Sequence, residues 1–174
     1  KLYRENKISQ QELRFQRLVQ TFKKIKFEIK SNQIEVISDL YIYHLSSFTH
    51  LFNGTHELLQ QLKNKYKLHI ITNGFEKVQY FKIANSGLKN YFQYVFTAEK
   101  IGYKKPHPQI FKTALEIAKT SASNSIMIGD SLEADIQGAL DIGMQAIHFN
   151  SHDEIKHNYC PIVYSIGEIN QFFS

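Results

Sequence analysis

Acidic and hydroxyl side chains that could bind a metal ion and a phosphate group follow two short apolar runs in this sequence. Asp130 comes after the apolar residues 126–128 and a glycine, and Asp135 follows five residues later. Thr72 and Asn73 follow another apolar run. Carboxylate oxygens at a rigid strand end suit a hard divalent cation such as Mg²⁺, and a hydroxyl beside free backbone N–H groups suits a phosphate oxygen. The plainer alternatives are a helix cap at Asp130 and an ordinary turn at Thr72.

A lysine-rich segment between these two positions adds a third group of candidates. Lys104 and Lys105 stand directly before Pro106, and Pro108 follows two residues later. Because prolines stiffen the backbone and open helices, a lysine here is held better than one in an ordinary loop. A fixed ammonium group can pair with carboxylates and with an incoming phosphate, and Lys105 is the better placed of the two. His107, between the prolines, is expected to cap or pack.

The elements that must position these residues alternate between strands and helices after residue 50. Apolar runs predict strands at residues 67–72, 94–97, 126–128, 146–149 and 162–164. Helical spacing fills the intervals at residues 55–65, 75–86, 108–119, 132–142 and 166–173. This alternation is typical of a parallel sheet with helices on both faces, whose strands share one carboxyl edge. The sequence therefore predicts a Rossmann-like α/β fold in which Thr72, Lys105 and Asp130 meet at that edge.

Residues 1–50 show a helical pattern without strand alternation. Ser9 and Glu12 form a capping box, and apolar residues then recur at three- and four-residue steps as far as Ile29. Residues 34–48 suggest a second helix, with a strand as the alternative because Val, Ile and Tyr are frequent there. We therefore predict a helical part at residues 1–50 and an α/β core at residues 51–174.

Composition and charge exclude several classes of protein. The chain is 43% hydrophobic and 21% charged, which is typical of a globular protein, and no apolar run approaches the roughly 18 residues of a membrane span. Its single cysteine, Cys160, excludes an internal disulfide and fits a reducing, cytoplasmic compartment. Residues 1–30 hold nine Lys or Arg and three Glu. Without a nucleic-acid-binding module, this segment predicts a solvated helix face, so we expect neither a nucleic-acid nor a membrane partner.

Three of these segments, taken in order, resemble motifs of the haloacid-dehalogenase superfamily. Thr72-Asn73, the segment GYKKPHPQIF around Lys105, and IGDSLEADIQGA around Asp130 are similar to its second, third and fourth motifs. The resemblance covers residues 51–150 closely, and the helical stretch before them resembles the later part of the family's inserted α-helical cap. The lysine motif and GDSLEADIQGA look most like those of bacterial house-cleaning pyrimidine 5′-nucleotidases.

The resemblance implies a Mg²⁺-dependent phosphohydrolase that cleaves small-molecule phosphates, in particular nucleoside monophosphates, through an aspartyl-phosphate. Thr72 would bind the transferring phosphoryl group with help from Asn73, and Lys105 would neutralise charge between nucleophile and phosphoryl group. A haloacid dehalogenase on the same fold, which needs no metal, is the alternative enzyme.

The same resemblance implies a metal site with Mg²⁺ as the cofactor. Asp130 would ligate the ion, and Asp135 would orient both the metal site and Lys105. Glu133 is a weaker candidate for the orienting role.

The family's first motif, an apolar strand followed by Asp-x-Asp, has no counterpart in this sequence. Asp39 is the nearest acid after an apolar run, but no second Asp follows two residues later. In the family this strand lies between the strands ending here at Thr72 and Gly129, so we expect two buried edges without partners. We expect the chain alone to be inactive, and the gap to be filled by an N-terminal fragment or by a segment of a second copy. A non-catalytic remnant that retains the phosphate-binding residues stays an alternative.

Overall fold

A computed structural model describes residues 7–45 and 47–173. The chain divides into two compact units, Lys1–Phe48 and Thr49–Ser174. The sequence prediction placed this division at residue 50. Within the described residues, no helix combines the length and the apolar character needed to cross a membrane.

The first unit contains two helices, α1 (Gln10–Lys24) and α2 (Ser31–Leu45). Ser9 caps α1, since its hydroxyl oxygen accepts a hydrogen bond of 3.1 Å from the backbone N–H of Glu12. The apolar spacing predicted a helix as far as Ile29, but α1 ends five residues earlier. Lys26 has a φ of 55°, which a right-handed helix does not accommodate. Residues 34–48 fall largely within α2, so the helix prediction is confirmed there and the strand alternative is wrong.

The second unit alternates strands and helices, which confirms the predicted α/β class with parallel strands and flanking helices. Its strands are β1 (His69–Thr72), β2 (Tyr94–Thr97), β3 (Ile126–Gly129), β4 (Gln145–Phe149) and β5 (Ile162–Val163). Its helices are α3 (Thr55–Lys63), α4 (Glu76–Asn85), α5 (Ala98–Ile101), α6 (Pro108–Ala118) and α7 (Gly138–Leu140). A π-helix (Leu132–Gln137) precedes α7, and 3₁₀ turns cover Lys89–Tyr91, Ala122–Asn124 and Gly167–Phe172.

The helix after β3 differs from the regular helix predicted for residues 132–142. The backbone N–H of Ile136 donates to the carbonyl of Ser131 at 3.2 Å, five residues back, which widens this turn into a π-helix. Only the short helix α7 then follows before Gly143, whose φ of 82° ends it. The sequence analysis also missed α5, because four residues are too few to show a helical period.

The five strands form two parallel sheets instead of one. β1 pairs with β2, and β3, β4 and β5 pair in that order. Within the described part of the chain, β1 and β3 each have one neighbour, so each leaves one edge open.

Backbone hydrogen bonds show which groups lie on the open edge of β1. The carbonyl of Leu68 accepts a hydrogen bond of 2.8 Å from Gln93, on the side of β2. Because backbone groups alternate sides along a strand, the N–H and C=O groups of His69 and Ile71 point to the opposite side.

The open edge of β3 follows from the same alternation. The carbonyl of Ser125 accepts a hydrogen bond of 3.2 Å from Gln145 at the start of β4. The N–H and C=O groups of Ile126 and Ile128 therefore point away from β4.

Both faces of β3 are covered by apolar clusters. Ile126 and Ile128 pack against one cluster, and Met127 packs against the other. The first cluster comprises Leu58, Leu62, Ile147, Phe149, Val163 and Ile169. The second comprises Ala98, Ile110, Phe111, Ala139 and Met144, and Ile71 of β1 packs against it. Apolar packing on both faces is typical of a strand inside a parallel sheet, yet the residues of β3 are only partly buried and the strand has an open edge.

Candidate active site

The turn after β1 places a hydroxyl and an amide at the carboxyl end of the strand. The Thr72 Oγ1 accepts a hydrogen bond of 2.9 Å from the backbone N–H of Gly74, which leaves its O–H able to donate to a ligand. The side-chain amide of Asn73 donates to the carbonyl of Lys105 at 2.9 Å and accepts from its N–H at 2.7 Å. The side chain of Asn73 therefore holds the lysine loop, and its backbone N–H remains a donor for a phosphate.

The side chain of Lys105 links the end of β1 to Asp135. The Lys105 side chain is 11% exposed, and its Nζ donates to the carbonyl of Ile71 at 2.8 Å and lies 2.5 Å from Oδ1 of Asp135. Oδ1 accepts no other hydrogen bond from the described residues. Oδ2 of Asp135 accepts from the backbone N–H groups of Asp130 and Ser131 at 3.1 and 3.2 Å. These contacts are a physical basis for the orienting role of Asp135, which stays a prediction.

Glycine at position 129 is what allows Asp135 to approach the end of β3 so closely. A Cβ built at Gly129 would collide with the Asp135 side chain. Any larger residue would therefore displace the carboxylate that contacts Lys105 and the Asp130 backbone.

The side-chain carboxylate of Asp130 takes no part in the contacts between Lys105, Asp135 and the backbone described above. The Asp130 side chain is 54% exposed, and its Oδ2 lies 3.0 Å from Nε2 of His152. Asp135 is engaged by Lys105 and by backbone N–H groups, and Glu133 is exposed on the π-helix. In residues 7–45 and 47–173, no group of three His, Cys, Asp or Glu side chains could hold a metal ion. One carboxylate fits part of a Mg²⁺ site, because Mg²⁺ usually binds one or two carboxylates and keeps several waters.

His107, which follows the lysine pair, is held in place at the start of α6. His107 caps α6, with its Nδ1 accepting from the Gln109 N–H at 3.1 Å, and its ring stacks on Tyr103 with centroids 4.5 Å apart. The predicted capping role is confirmed.

Burial lowers the pKa of Lys104, and the nearby carboxylate of Glu99 partly opposes this shift.

Sequence reasoning missed a group of polar residues at the end of β4. His148, Asn150, His152 and Glu154 all lie at or after the carboxyl end of this strand. The same rule that selected Asp130, polar residues after a short apolar run, would have selected them.

Comparison with known proteins places this geometry in a family. Residues 4–149 match the family model described as haloacid dehalogenase-like hydrolase. The chain belongs to this family. The predicted superfamily is thereby confirmed.

Two relatives share more than a third of their aligned residues with this chain. It is 34% identical over 165 residues to pyrimidine 5′-nucleotidase PynA of Streptococcus pneumoniae, covering 92% of this chain and 67% of that protein. It is 35% identical over 127 residues to glyceraldehyde 3-phosphate phosphatase of Pyrococcus furiosus, covering 71% and 53%. These relatives confirm the prediction of a phosphohydrolase. The chain spans between half and about two thirds of their length.

A solved structure supports the fold independently. HAD-hydrolase YfnB of Bacillus subtilis, solved bound to magnesium, matches with a TM-score of 0.86 and 27% identity, covering 98% of this chain and 75% of that one. The α/β fold of the family is therefore confirmed.

Proposed function

We propose that the complete protein is a Mg²⁺-dependent phosphatase of small phosphomonoesters, with nucleoside monophosphates as its substrate class. The observation that carries this proposal is the nearly buried Lys105 ammonium, which contacts Asp135 and shares one sheet edge with Thr72 and Asp130. A fixed cation near a hydroxyl donor and a half-exposed carboxylate suits a phosphate and a metal ion together. The similarity to a pyrimidine 5′-nucleotidase supports the nucleotide substrate.

The residues of this chain would bind and stabilise the phosphoryl group. The Thr72 O–H would donate to a phosphoryl oxygen, and Lys105 would offset the negative charge that builds up during transfer. Asp130 would hold Mg²⁺, which when bound supplies positive charge to the phosphoryl oxygens. The family resemblance implies an aspartate nucleophile: its carboxylate attacks phosphorus, the bond to the leaving alcohol breaks, and water then hydrolyses the aspartyl-phosphate. That aspartate would come from outside this sequence.

We also propose that one strand from a segment outside this sequence fills the space between β1 and β3. Lys105 Nζ reaches the Ile71 carbonyl and Asp135 at 2.8 and 2.5 Å, and Asp135 reaches the Asp130 N–H at 3.1 Å. The path along these three contacts and one carboxylate group is about two interstrand spacings of roughly 4.8 Å long, which sets an upper limit on the separation of its two ends. The gap therefore holds at most one strand. The greater length of the relatives supports an additional segment.

The test is phosphatase activity of the full-length protein on uridine monophosphate, with and without Mg²⁺. We expect Asp130→Asn to lower activity at least about 100-fold, because it removes the charge of the metal ligand. Asp141→Asn, an exposed aspartate paired with Gln137, is the matched control and should retain activity. Full activity in Asp130→Asn, or activity unaffected by removing Mg²⁺, would contradict the metal-dependent mechanism. Absence of activity on phosphomonoesters would contradict the phosphatase and leave the metal-free dehalogenase.

A further inference from the structure

The loop after β4, residues 150–154, contacts the segment 130–132 together with His148 of β4. The Glu154 carboxylate accepts a hydrogen bond of 2.7 Å from the backbone N–H of Leu132. Its Oε2 also lies 3.5 Å from Nε2 of His148, and that nitrogen lies 3.3 Å from the carbonyl oxygen of Asp130. His152, on the same loop, contacts the Asp130 carboxylate. Two residues of this loop and His148 of β4 therefore hold the segment 130–132 at three points.

Asn150 closes this loop. Its side chain is buried, accepts from the N–H of Glu154 at 2.7 Å and donates to the carbonyl of Glu154 at 2.9 Å. The Asn150 N–H donates to the carbonyl of Val163 in β5 at 2.8 Å. The position of Glu154 is thus fixed by the sheet through Asn150.

The hydrogen-bond partners of His148 determine its proton position. Its Nε2 faces two acceptors, the Asp130 carbonyl and the Glu154 carboxylate, so it carries the proton. Its Nδ1 then accepts from Nε2 of His157 at 2.9 Å, and Nδ1 of His157 accepts from the N–H of Tyr159 at 3.3 Å. Burial, and then the neighbouring His148, lower the pKa of His157, which fits its neutral form. His148 is fully buried, so its N–H needs these two acceptors.

We propose that Glu154 is a positioning residue that holds Asp130 in the geometry in which it binds a divalent cation. The inference rests on the metal-binding role of Asp130 in the proposed function. Without the carboxylate, the Leu132 N–H loses its acceptor and the Nε2–H of His148 loses one of its two, so the backbone that carries Asp130 can relax. Residues that orient a metal ligand commonly change metal affinity by about 10- to 100-fold when replaced.

The reach and the charge of Glu154 can be separated by two conservative variants. Glu154→Gln retains an oxygen that reaches Leu132 but removes the charge, whereas Glu154→Asp retains the charge but shortens the side chain by one carbon. If the residue acts by positioning, Gln should preserve cation affinity and Asp should weaken it. If it acts only through its negative charge near the cation, the order reverses.

The experiment measures Mn²⁺ binding to the full-length protein by electron paramagnetic resonance of the free ion, with near-ultraviolet circular dichroism to confirm folding. We expect Glu154→Asp and Glu154→Ala to bind Mn²⁺ about tenfold more weakly, and Glu154→Gln to stay within about twofold of the wild type. Glu168→Ala is the matched control, since Glu168 also accepts a backbone N–H, that of Tyr164 at 3.2 Å. It should bind like the wild type.

Each outcome decides one assignment. Wild-type Mn²⁺ binding that is absent, or that survives Asp130→Asn, would overturn the metal site of the proposed function and this inference with it. Binding that depends on Asp130 but is equal in the wild type and in Glu154→Asp would overturn the role of Glu154 alone. If Glu154→Ala does not fold, the Gln and Asp variants decide the question, since both retain a polar group at this position.

Discussion

At the scale of single residues, Lys105 joins the ends of two sheets. Its ammonium contacts the Ile71 carbonyl on the open edge of β1 and the carboxylate of Asp135, which follows the end of β3. A nearly buried cation needs such partners, because an unpaired charge away from water is costly. Its backbone is held separately by the amide of Asn73, 32 residues earlier in the chain. The position of the ammonium therefore depends on Asn73, which touches neither carboxylate in these contacts.

We expect Asn73→Ala to destabilise the protein by about 1–3 kcal/mol, since it leaves the half-buried N–H and C=O of Lys105 without partners. Urea unfolding followed by circular dichroism measures the change. Asn64→Ala, at an exposed asparagine, is the control and should change the free energy of unfolding by less than about 0.5 kcal/mol. Equal effects of the two substitutions would show that the hydrogen bonds between the Asn73 side chain and the Lys105 backbone do not stabilise the fold.

At the scale of elements, β1 begins with a histidine in an apolar setting. The His69 ring stacks on Tyr94 of β2 with centroids 5.4 Å apart, and within the described residues its buried Nδ1 has no hydrogen-bond partner. Burial, with a smaller contribution from Lys67, lowers the pKa of His69. The folded state therefore favours the neutral ring, which packs without the cost of a buried charge.

This shift predicts a pH dependence of stability. Because the pKa of His69 is lower in the folded state, the unfolded chain takes up the proton first as the pH falls through about 6.5, so acid destabilises the fold. We expect His69→Phe, which preserves ring stacking, to reduce the loss of unfolding free energy between about pH 7 and pH 5.5. Thermal unfolding at several pH values measures both slopes, and identical slopes for variant and wild type would refute this assignment.

At the scale of the whole molecule, the strands of the second unit form two sheets with open edges, and we propose that one added strand joins them. Apolar clusters cover β3 on both faces, yet β3 has an open edge, and β1 has unpaired carbonyl and N–H groups on its own open edge. Unpaired backbone groups in an apolar setting are unfavourable, so the fold gains stability from an added strand. The same strand would end beside Lys105 and Asp130, which links completion of the sheet to completion of the site.

Amide hydrogen exchange tests the added strand with an internal control. In the 174-residue chain alone, we expect the open-edge amides of Ile71 and Ile128 to exchange at least about tenfold faster than the paired amides of Ile70 and Met127. In the full-length protein both sets should be protected. A chain whose open-edge and paired amides are equally protected, with an intact mass near 20.3 kDa for the natural protein, would count against the missing strand.

Apolar runs and helical spacing predicted most strands and helices, because both depend on residues only a few positions apart. Strand β2 has the predicted bounds, and β1, β3 and β4 lie within two residues of theirs. The π-helix after β3 was not predicted, since the hydrogen bond from Ile136 to Ser131 depends on how Asp135 meets the end of the strand. The predicted start of α1 at the Ser9 cap is confirmed, but its predicted end at Ile29 is wrong, because an apolar period does not reveal where the backbone turns.

The sequence by itself determined which chemical groups this protein brings to its sheet edge: a hydroxyl, an ammonium and carboxylates after short apolar runs. Parallel strands share a carboxyl edge, so these types and their order were sufficient to place Thr72, Lys105 and Asp130 together. The tertiary structure alone decided what each group contacts. Asn73 meets Lys105 and Glu154 meets Leu132 across separations of 32 and 22 residues, which no local period encodes. The family resemblance already implies that the sheet is divided, but only the structure shows which strands pair, since pairing between strands is a property of the packed chain.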